Sequence, residues 1–191
     1  MSKALRCCAS PGRTGRPLAL LLALCACGPA TLHGRAQRDV PWFRQAGPAG
    51  CARAAAASLA SYYGQPLSEA ARGLLGAEEA SDGSVSAGTL KRALESSGYV
   101  VSVFSGTWGA GPESVLEPLR TGRPLLVLLG GGIGHFVILA GFDAARDTVF
   151  VVDPLRGPLD IDRKAFERSW ARARHLALLA VPPSLTAGGP R

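Results

Sequence analysis

Four residues of this chain have the types and the spacing that acyl-transfer chemistry needs. Cys51 opens the stretch GCARAAAASLASYYG at its second position, and His135 and Asp153 follow it in the second half of the chain. A thiolate that attacks a carbonyl needs a base to carry its proton and an acceptor that orients the base. Gln45 lies six residues before Cys51 across a Gly/Pro/Ala loop, and its amide could donate to the oxyanion that forms. These residues predict a nucleophilic site if the fold brings them together.

Cys51 stands at the front edge of a predicted helix that runs from residue 51 to residue 63 and stops at Gly64. The unpaired amides at a helix N-terminus carry about half a positive charge, which favours the thiolate over the thiol. The alternative interpretation is a buried, chemically inert cysteine that happens to begin a helix. The sequence of the helix alone leaves both interpretations open.

The elements that must position these residues fall into two halves. Further helices are predicted at 68–75, ending at Gly76, and at 86–97. The second half contains predicted strands at 99–104, 124–129, 135–142, 148–153 and 175–181, a short helix at 112–121, and a helix at 163–173 capped by Asp162. Helices first and strands second predict an α+β domain, with the helices on one side of a mainly antiparallel sheet.

The predicted strand order places the base beside its orienting acid. His135 opens one strand and Asp153 ends the next, and the short link FDAARDT between them favours a hairpin. In a hairpin the start of the first strand lies beside the end of the second. The run GGGIG just before His135 is interpreted as room for a substrate backbone. Of the other two histidines, His33 lies in a predicted tether and His175 is expected at the surface.

The N-terminus predicts an export signal. A basic stretch leads into LALLLALCACG, whose apolar part is about half the roughly 20 residues that span a membrane. The stretch resembles a bacterial lipobox, which makes Cys27 the predicted lipidation site because a small residue, Ala26, precedes it. An ordinary secretory signal or an uncleaved anchor is the alternative. The predicted organisation is a signal peptide at 1–26, a tether at 27–41, a domain at 42–183 and a loose tail at 184–191.

Removal of that signal changes both the charge and the cysteine count. The chain has a net charge of +7, but residues 1–26 carry four basic residues and no acidic one, so 17 Lys and Arg remain against 14 Asp and Glu. The resulting +3 and the lack of a basic cluster argue against a nucleic-acid partner. With Cys27 acylated, Cys51 is the only free cysteine. No metal site and no cofactor are predicted, since no Cys/His cluster has ligand spacing.

The combination resembles a known family. Gln45 with Cys51, then HFVIL from His135 and VVDPLRG from Val151, are similar to the papain-like bacteriocin-processing peptidases, also called double-glycine leader peptidases. The resemblance covers about residues 42–181. It implies a papain-like cysteine peptidase fold, with Cys51 as nucleophile, His135 as base, Asp153 as its orienting residue and Gln45 in the oxyanion hole.

The chain departs from that family around the nucleophile and in its setting. The family has an acidic residue before the cysteine and a glycine after it, where this chain has Gly50 and Ala52, and its members are fused to a transporter. The expectation is therefore an exported, lipid-anchored cysteine peptidase that acts on a peptide or protein at the periplasmic face of a bacterial membrane, the outer one being favoured. A neighbouring transport or secretion component is a candidate partner. A deamidase or other acyl transferase, and a non-catalytic peptide-binding module, remain the alternatives.

Overall fold

The computed structural model describes residues 34–130 and 134–186. The predicted signal peptide, Cys27 and His33 lie outside the described residues, as do residues 131–133 and the last five residues of the tail. The described chain forms five helices and seven strands. In chain order they are β1 Arg35–Gln37, α1 Cys51–Tyr63, α2 Glu69–Asp82, α3 Ala87–Ser96, β2 Val100–Ser105, α4 Leu116–Arg120, β3 Leu125–Leu129, β4 His135–Asp143, β5 Thr148–Asp153, β6 Gly157–Asp162, α5 Arg163–Arg172 and β7 Leu176–Val181. A 3₁₀ turn, Pro183–Leu185, follows β7.

Serine caps and left-handed glycines set several of the bounds of the three N-terminal helices. The side chain of Ser86 accepts a hydrogen bond from the Thr89 amide and caps α3, and Ser68 caps α2 in the same way. Helix α1 ends at Gly64 in the left-handed conformation, as predicted. Helix α2 was expected to stop at Gly76, but it continues to Asp82 because Gly83 is the residue that takes the left-handed turn.

All strand pairs of the sheet are antiparallel, in the order β2-β7-β3-β4-β5-β6, with β1 paired to β4. The predicted α+β class and its mainly antiparallel sheet are confirmed. Two strands were not predicted. Strand β6 is a half-exposed edge strand, and β1 lies inside the stretch 27–41 that was expected to be a tether. The folded part of the chain therefore begins before Trp42.

Helices cover both faces of the sheet, which corrects the expectation that they lie on one side. Helices α1, α2 and α3 pack on one face against alternate residues such as Leu126 and Ile138. Helices α4 and α5 pack on the other face, where Phe166 and Trp170 are completely buried with Phe142. The strands between them are therefore apolar on both sides. The predicted helix at 112–121 is shorter than expected, since α4 spans only Leu116–Arg120.

Candidate active site

Cys51 is the first residue of α1, and only 8% of its surface is exposed. The preceding Gly50 lets the loop from residue 46 to residue 50 close tightly, because a Cβ there would lie 3.0 Å from the Ala46 carbonyl oxygen. No side chain accepts a hydrogen bond from the first turn of α1. The positive end of the helix is therefore not capped by a side chain, and it is the end that carries the thiol. The local sequence thus presents a thiol on a positive helix end, as predicted.

His135 and Asp153 lie side by side across the β4–β5 hairpin. The register pairs Ile138 with Val152, which brings the start of β4 next to the end of β5. The Nε2 atom of His135 is 2.8 Å from Oδ1 of Asp153. Asp153 is almost completely buried, with 1% of its surface exposed. This is the adjacency that the hairpin geometry predicts from the sequence.

The thiol of Cys51 and the imidazole of His135 are close enough for each group to shift the pKa of the other. Because Asp153 occupies Nε2, the ring nitrogen that remains for the sulfur is Nδ1. Burial raises the pKa of the Cys51 thiol, but the hydrogen bonds from His135 and from the backbone of Phe136 and Ala52 outweigh it, and the net pKa is lowered. The hydrogen bonds to Asp153 and then to Cys51 raise the pKa of His135 to about 9. Both shifts favour the thiolate–imidazolium pair over the neutral thiol and imidazole.

Hydrogen bonds from its neighbours keep the Asp153 carboxylate ionised. Burial raises the pKa of this carboxyl, but hydrogen bonds from His135, from the Arg156 side chain and from the Leu155 amide outweigh burial and hold the pKa well below its ordinary value. Arg156 Nε donates to Oδ2 at 2.7 Å. Arg156 was not predicted as a site residue, although it stands in the run VVDPLRG three residues after Asp153.

Gln45 lies in the loop before Cys51, and its side-chain amide makes its hydrogen bonds to the backbone of that loop rather than to Cys51. Its backbone N–H donates to the Pro154 carbonyl at 2.9 Å, which ties the loop before α1 to the segment after Asp153. Its side-chain Nε2 donates to the carbonyl of Gly47 at 2.6 Å and to that of Pro48 at 3.3 Å. The loop therefore holds the predicted oxyanion donor in its own hydrogen bonds.

His175 and the glycine run GGGIG have structural explanations. His175 Nε2 bonds to Glu167 Oε1 at 2.6 Å, and its ring packs edge-on against Trp170, so it belongs to the α5 face rather than to the Cys51 site. The first glycine of GGGIG, Gly130, packs against α5, where a Cβ would lie 2.3 Å from that of Arg172. That glycine makes room for a helix and not for a substrate, which corrects its interpretation; residues 131–133 lie outside the described residues.

Within residues 34–130 and 134–186, no group of three His, Cys, Asp or Glu side chains could hold a metal ion. In the same part of the chain, no helix is both long enough and apolar enough to cross a bilayer.

A helical layer that presents a thiol to a histidine on an antiparallel sheet is the arrangement of the papain-like cysteine peptidases. Residues 37–178 match the Peptidase_C39 like family, and the chain belongs to that family. No curated protein matches the chain in sequence.

Three solved structures show the same fold. The peptidase domain of Streptococcus ComA, described as a bi-functional ABC transporter of a quorum-sensing pathway, superposes with a TM-score of 0.59 at 19% identity, covering 75% of this chain and 98% of that one. A double glycine motif protease from an AMS/PCAT transporter, solved with its leader peptide, gives 0.55 at 23%, covering 81% and 97%. The N-terminal peptidase C39 like domain of a toxin secretion ATP-binding protein from Vibrio parahaemolyticus gives 0.52 at 19%, covering 72% and 99%.

Proposed function

We propose that this protein is a cysteine peptidase in which Cys51, His135 and Asp153 form the catalytic triad. The observation that carries the proposal is the 2.8 Å hydrogen bond between the buried carboxylate of Asp153 and the imidazole of His135, which interacts in turn with the Cys51 thiol. This series of residues supplies a nucleophile, a proton carrier and an orienting acceptor, which are the three groups that acyl transfer requires.

The reaction follows from the charges of the resting pair. The Cys51 thiolate attacks the scissile carbonyl, and the negative charge moves to the carbonyl oxygen. His135, as imidazolium, donates its Nδ1 proton to the leaving amine as the C–N bond breaks and a thioester forms. His135 then takes a proton from water, whose oxygen attacks the thioester and releases Cys51 and the carboxylic acid. Asp153 keeps the ring oriented and stabilises its positive charge throughout.

The oxyanion would be held by the Cys51 backbone N–H and by Gln45 Nε2. The 3.3 Å hydrogen bond from Nε2 to the Pro48 carbonyl is the weaker of its two bonds, and a substrate oxyanion would replace that one. The shorter bond to the Gly47 carbonyl would remain and keep the amide oriented.

Peptide hydrolysis is tested by incubating the protein with a proteome-derived peptide library and sequencing new termini. We expect cleavage by the wild type, loss of cleavage in Cys51→Ala and in His135→Ala, and full cleavage in His175→Ala, whose histidine serves as a matched control on the α5 face. Cleavage retained by Cys51→Ala would refute the assignment. Release of ammonia without new termini would identify a deamidase, and substrate capture without either product would identify a binding module.

Export and lipid anchoring form the second part of the proposal, and they rest on the sequence of residues 1–28. Acylation of Cys27 would place the domain at the periplasmic face of a membrane, where peptides could reach the site. A transport or secretion component is the proposed neighbour, since solved relatives are parts of transporters. The wild type should partition into detergent, and Cys27→Ser should stay in the aqueous phase or remain unprocessed; equal partitioning of both would refute the anchor.

A further inference from the structure

The carboxylate of Asp153 is held from both sides. Its Oδ1 accepts from His135 Nε2 and from the Leu155 amide, each at 2.8 Å, and its Oδ2 accepts from Arg156 Nε at 2.7 Å. The side chain of Asp153 is 1% exposed, whereas that of Arg156 is 60% exposed. The arginine thus lies at the boundary between the buried carboxylate and solvent.

The turn between β5 and β6 puts Arg156 in this place. Its backbone N–H donates to the Asp153 carbonyl at 3.2 Å, so the same three-residue turn brings the guanidinium back over the carboxylate. A rotation of the carboxylate about its Cβ–Cγ bond would break the bond to Arg156 as well as the bond to His135. Charge-assisted hydrogen bonds of this length are about twice as strong as neutral ones, so the arginine resists that rotation.

We propose that Arg156 is a positioning residue: it fixes the Asp153 carboxylate, and through it the plane of the His135 ring that faces Cys51. The proposal rests on the proposed function of the same site, and it adds a fourth member to the series. Among the described residues, the side chain of Arg156 hydrogen-bonds to Asp153 and to neither Cys51 nor His135, so it acts through the aspartate.

Arg156 and His135 both interact with the negative charge of the Asp153 carboxylate. The charged and titratable groups around the imidazole are Cys51 from α1, Asp153 from β5 and, behind Asp153, Arg156 from the β5–β6 turn. Loss of the arginine would leave the whole carboxylate charge to the imidazolium. The pKa of His135 would therefore rise, by roughly half a unit to one unit for a charge of this exposure. A residue that only stabilised the turn would not change that pKa.

The test is the titration of His135 in the full chain labelled with ¹⁵N-histidine, which has three histidines in all. Arg156→Met removes the charge and the hydrogen bond, and Arg156→Lys restores the charge without the Nε geometry. Arg163→Met is the matched control, because Arg163 Nε pairs with Asp147 Oδ1 at 2.5 Å at the other end of the β5–β6 pair.

We expect the His135 midpoint to rise in Arg156→Met, to lie close to the wild-type value in Arg156→Lys, and to stay unchanged in Arg163→Met. Peptide turnover, kcat, should fall roughly tenfold in both Arg156 variants, because Lys does not hold the carboxylate in the same plane. An unchanged midpoint in Arg156→Met, or a midpoint that Lys does not restore, would overturn the proposal. If the wild type cleaves no peptide, the proposed function fails, but the titration still decides whether Arg156 governs His135.

Discussion

At the scale of single residues, the proposed triad already has its partners in the resting structure, whereas the proposed oxyanion donor, Gln45, is bonded elsewhere. His135 is already hydrogen-bonded to Asp153, and it interacts with the Cys51 thiol. Gln45, in contrast, keeps its amide in bonds to Gly47 and Pro48. The proposed thiol activation therefore depends on the β4–β5 hairpin and the proposed oxyanion stabilisation on the loop before α1, so a substitution can change one without the other.

Replacement of Gln45 separates the two effects. We expect Gln45→Ala to lower kcat by about 10²-fold to 10³-fold, because one oxyanion donor is lost. The rate at which iodoacetamide alkylates Cys51 should stay close to that of the wild type, since this reaction forms no oxyanion. Gln45→Asn is the matched control, because it keeps an amide of shorter reach. A wild-type kcat in Gln45→Ala would remove Gln45 from the site, and equal losses of kcat and alkylation would show that the loop itself had moved.

At the scale of elements, the parts that the sequence predicts correctly are those with local signals. The bounds of α1 follow from its apolar run and its glycine stop, and the His135–Asp153 contact follows from a short hairpin. Strand β1 has only three residues, RAQ, which are too few for their alternation to indicate a strand; it forms because β4 offers it a partner. The direction of the Gln45 amide and the return of Arg156 over Asp153 depend on loop closure, which residue types and spacing do not specify.

The packing of β1 against β4 can be tested by a substitution at Gly141. A register shift in β4 next to Gly141 lets β1 approach, and a Cβ at Gly141 would lie 2.1 Å from the Ala36 carbonyl oxygen and 2.7 Å from Gln37 Cα. We expect Gly141→Ala to lower the free energy of unfolding by about 2 kcal/mol, because backbone atoms must move. Gly73→Ala, in α2 with no atom within 4 Å of its new Cβ, should instead raise it by roughly 0.5 to 1 kcal/mol. Urea unfolding measures both, and a neutral Gly141→Ala would contradict the β1–β4 packing.

At the scale of the whole molecule, a charged site lies at the edge of a sheet whose two faces are covered by apolar clusters. Apolar clusters pack on both faces of the strands, and Asp153 is a charged group buried at their edge. A buried carboxylate is tolerated there because hydrogen bonds from His135, Arg156 and the Leu155 amide compensate for the loss of water. The ionised site therefore contributes to global stability as well as to the proposed chemistry.

This linkage predicts an acid-sensitive fold. The pKa of Asp153 is lower in the folded chain than in the unfolded one, so its stabilisation is present above the unfolded pKa of about 3.9 and is lost as pH falls through the folded value. Between pH 5 and pH 2 the wild type should lose on the order of 2 kcal/mol more than Asp153→Asn in urea unfolding. Asp160→Asn, which removes an exposed aspartate of β6, should follow the wild type. Parallel pH profiles for the wild type and Asp153→Asn would show that the carboxylate is not specially stabilised.

The central claim, that His135 holds Cys51 as a thiolate, is tested most directly by the pH dependence of iodoacetamide alkylation, followed at Cys51 by peptide mapping of the full chain. Because the pKa of the thiol is lowered, we predict an alkylation midpoint below the ordinary thiol pKa of about 8.5. In His135→Ala the midpoint should move up towards or above 8.5, since burial then acts without the imidazolium. A wild-type midpoint at 8.5 or higher in the folded protein, unchanged by His135→Ala, would contradict the account and leave Cys51 an inert buried cysteine.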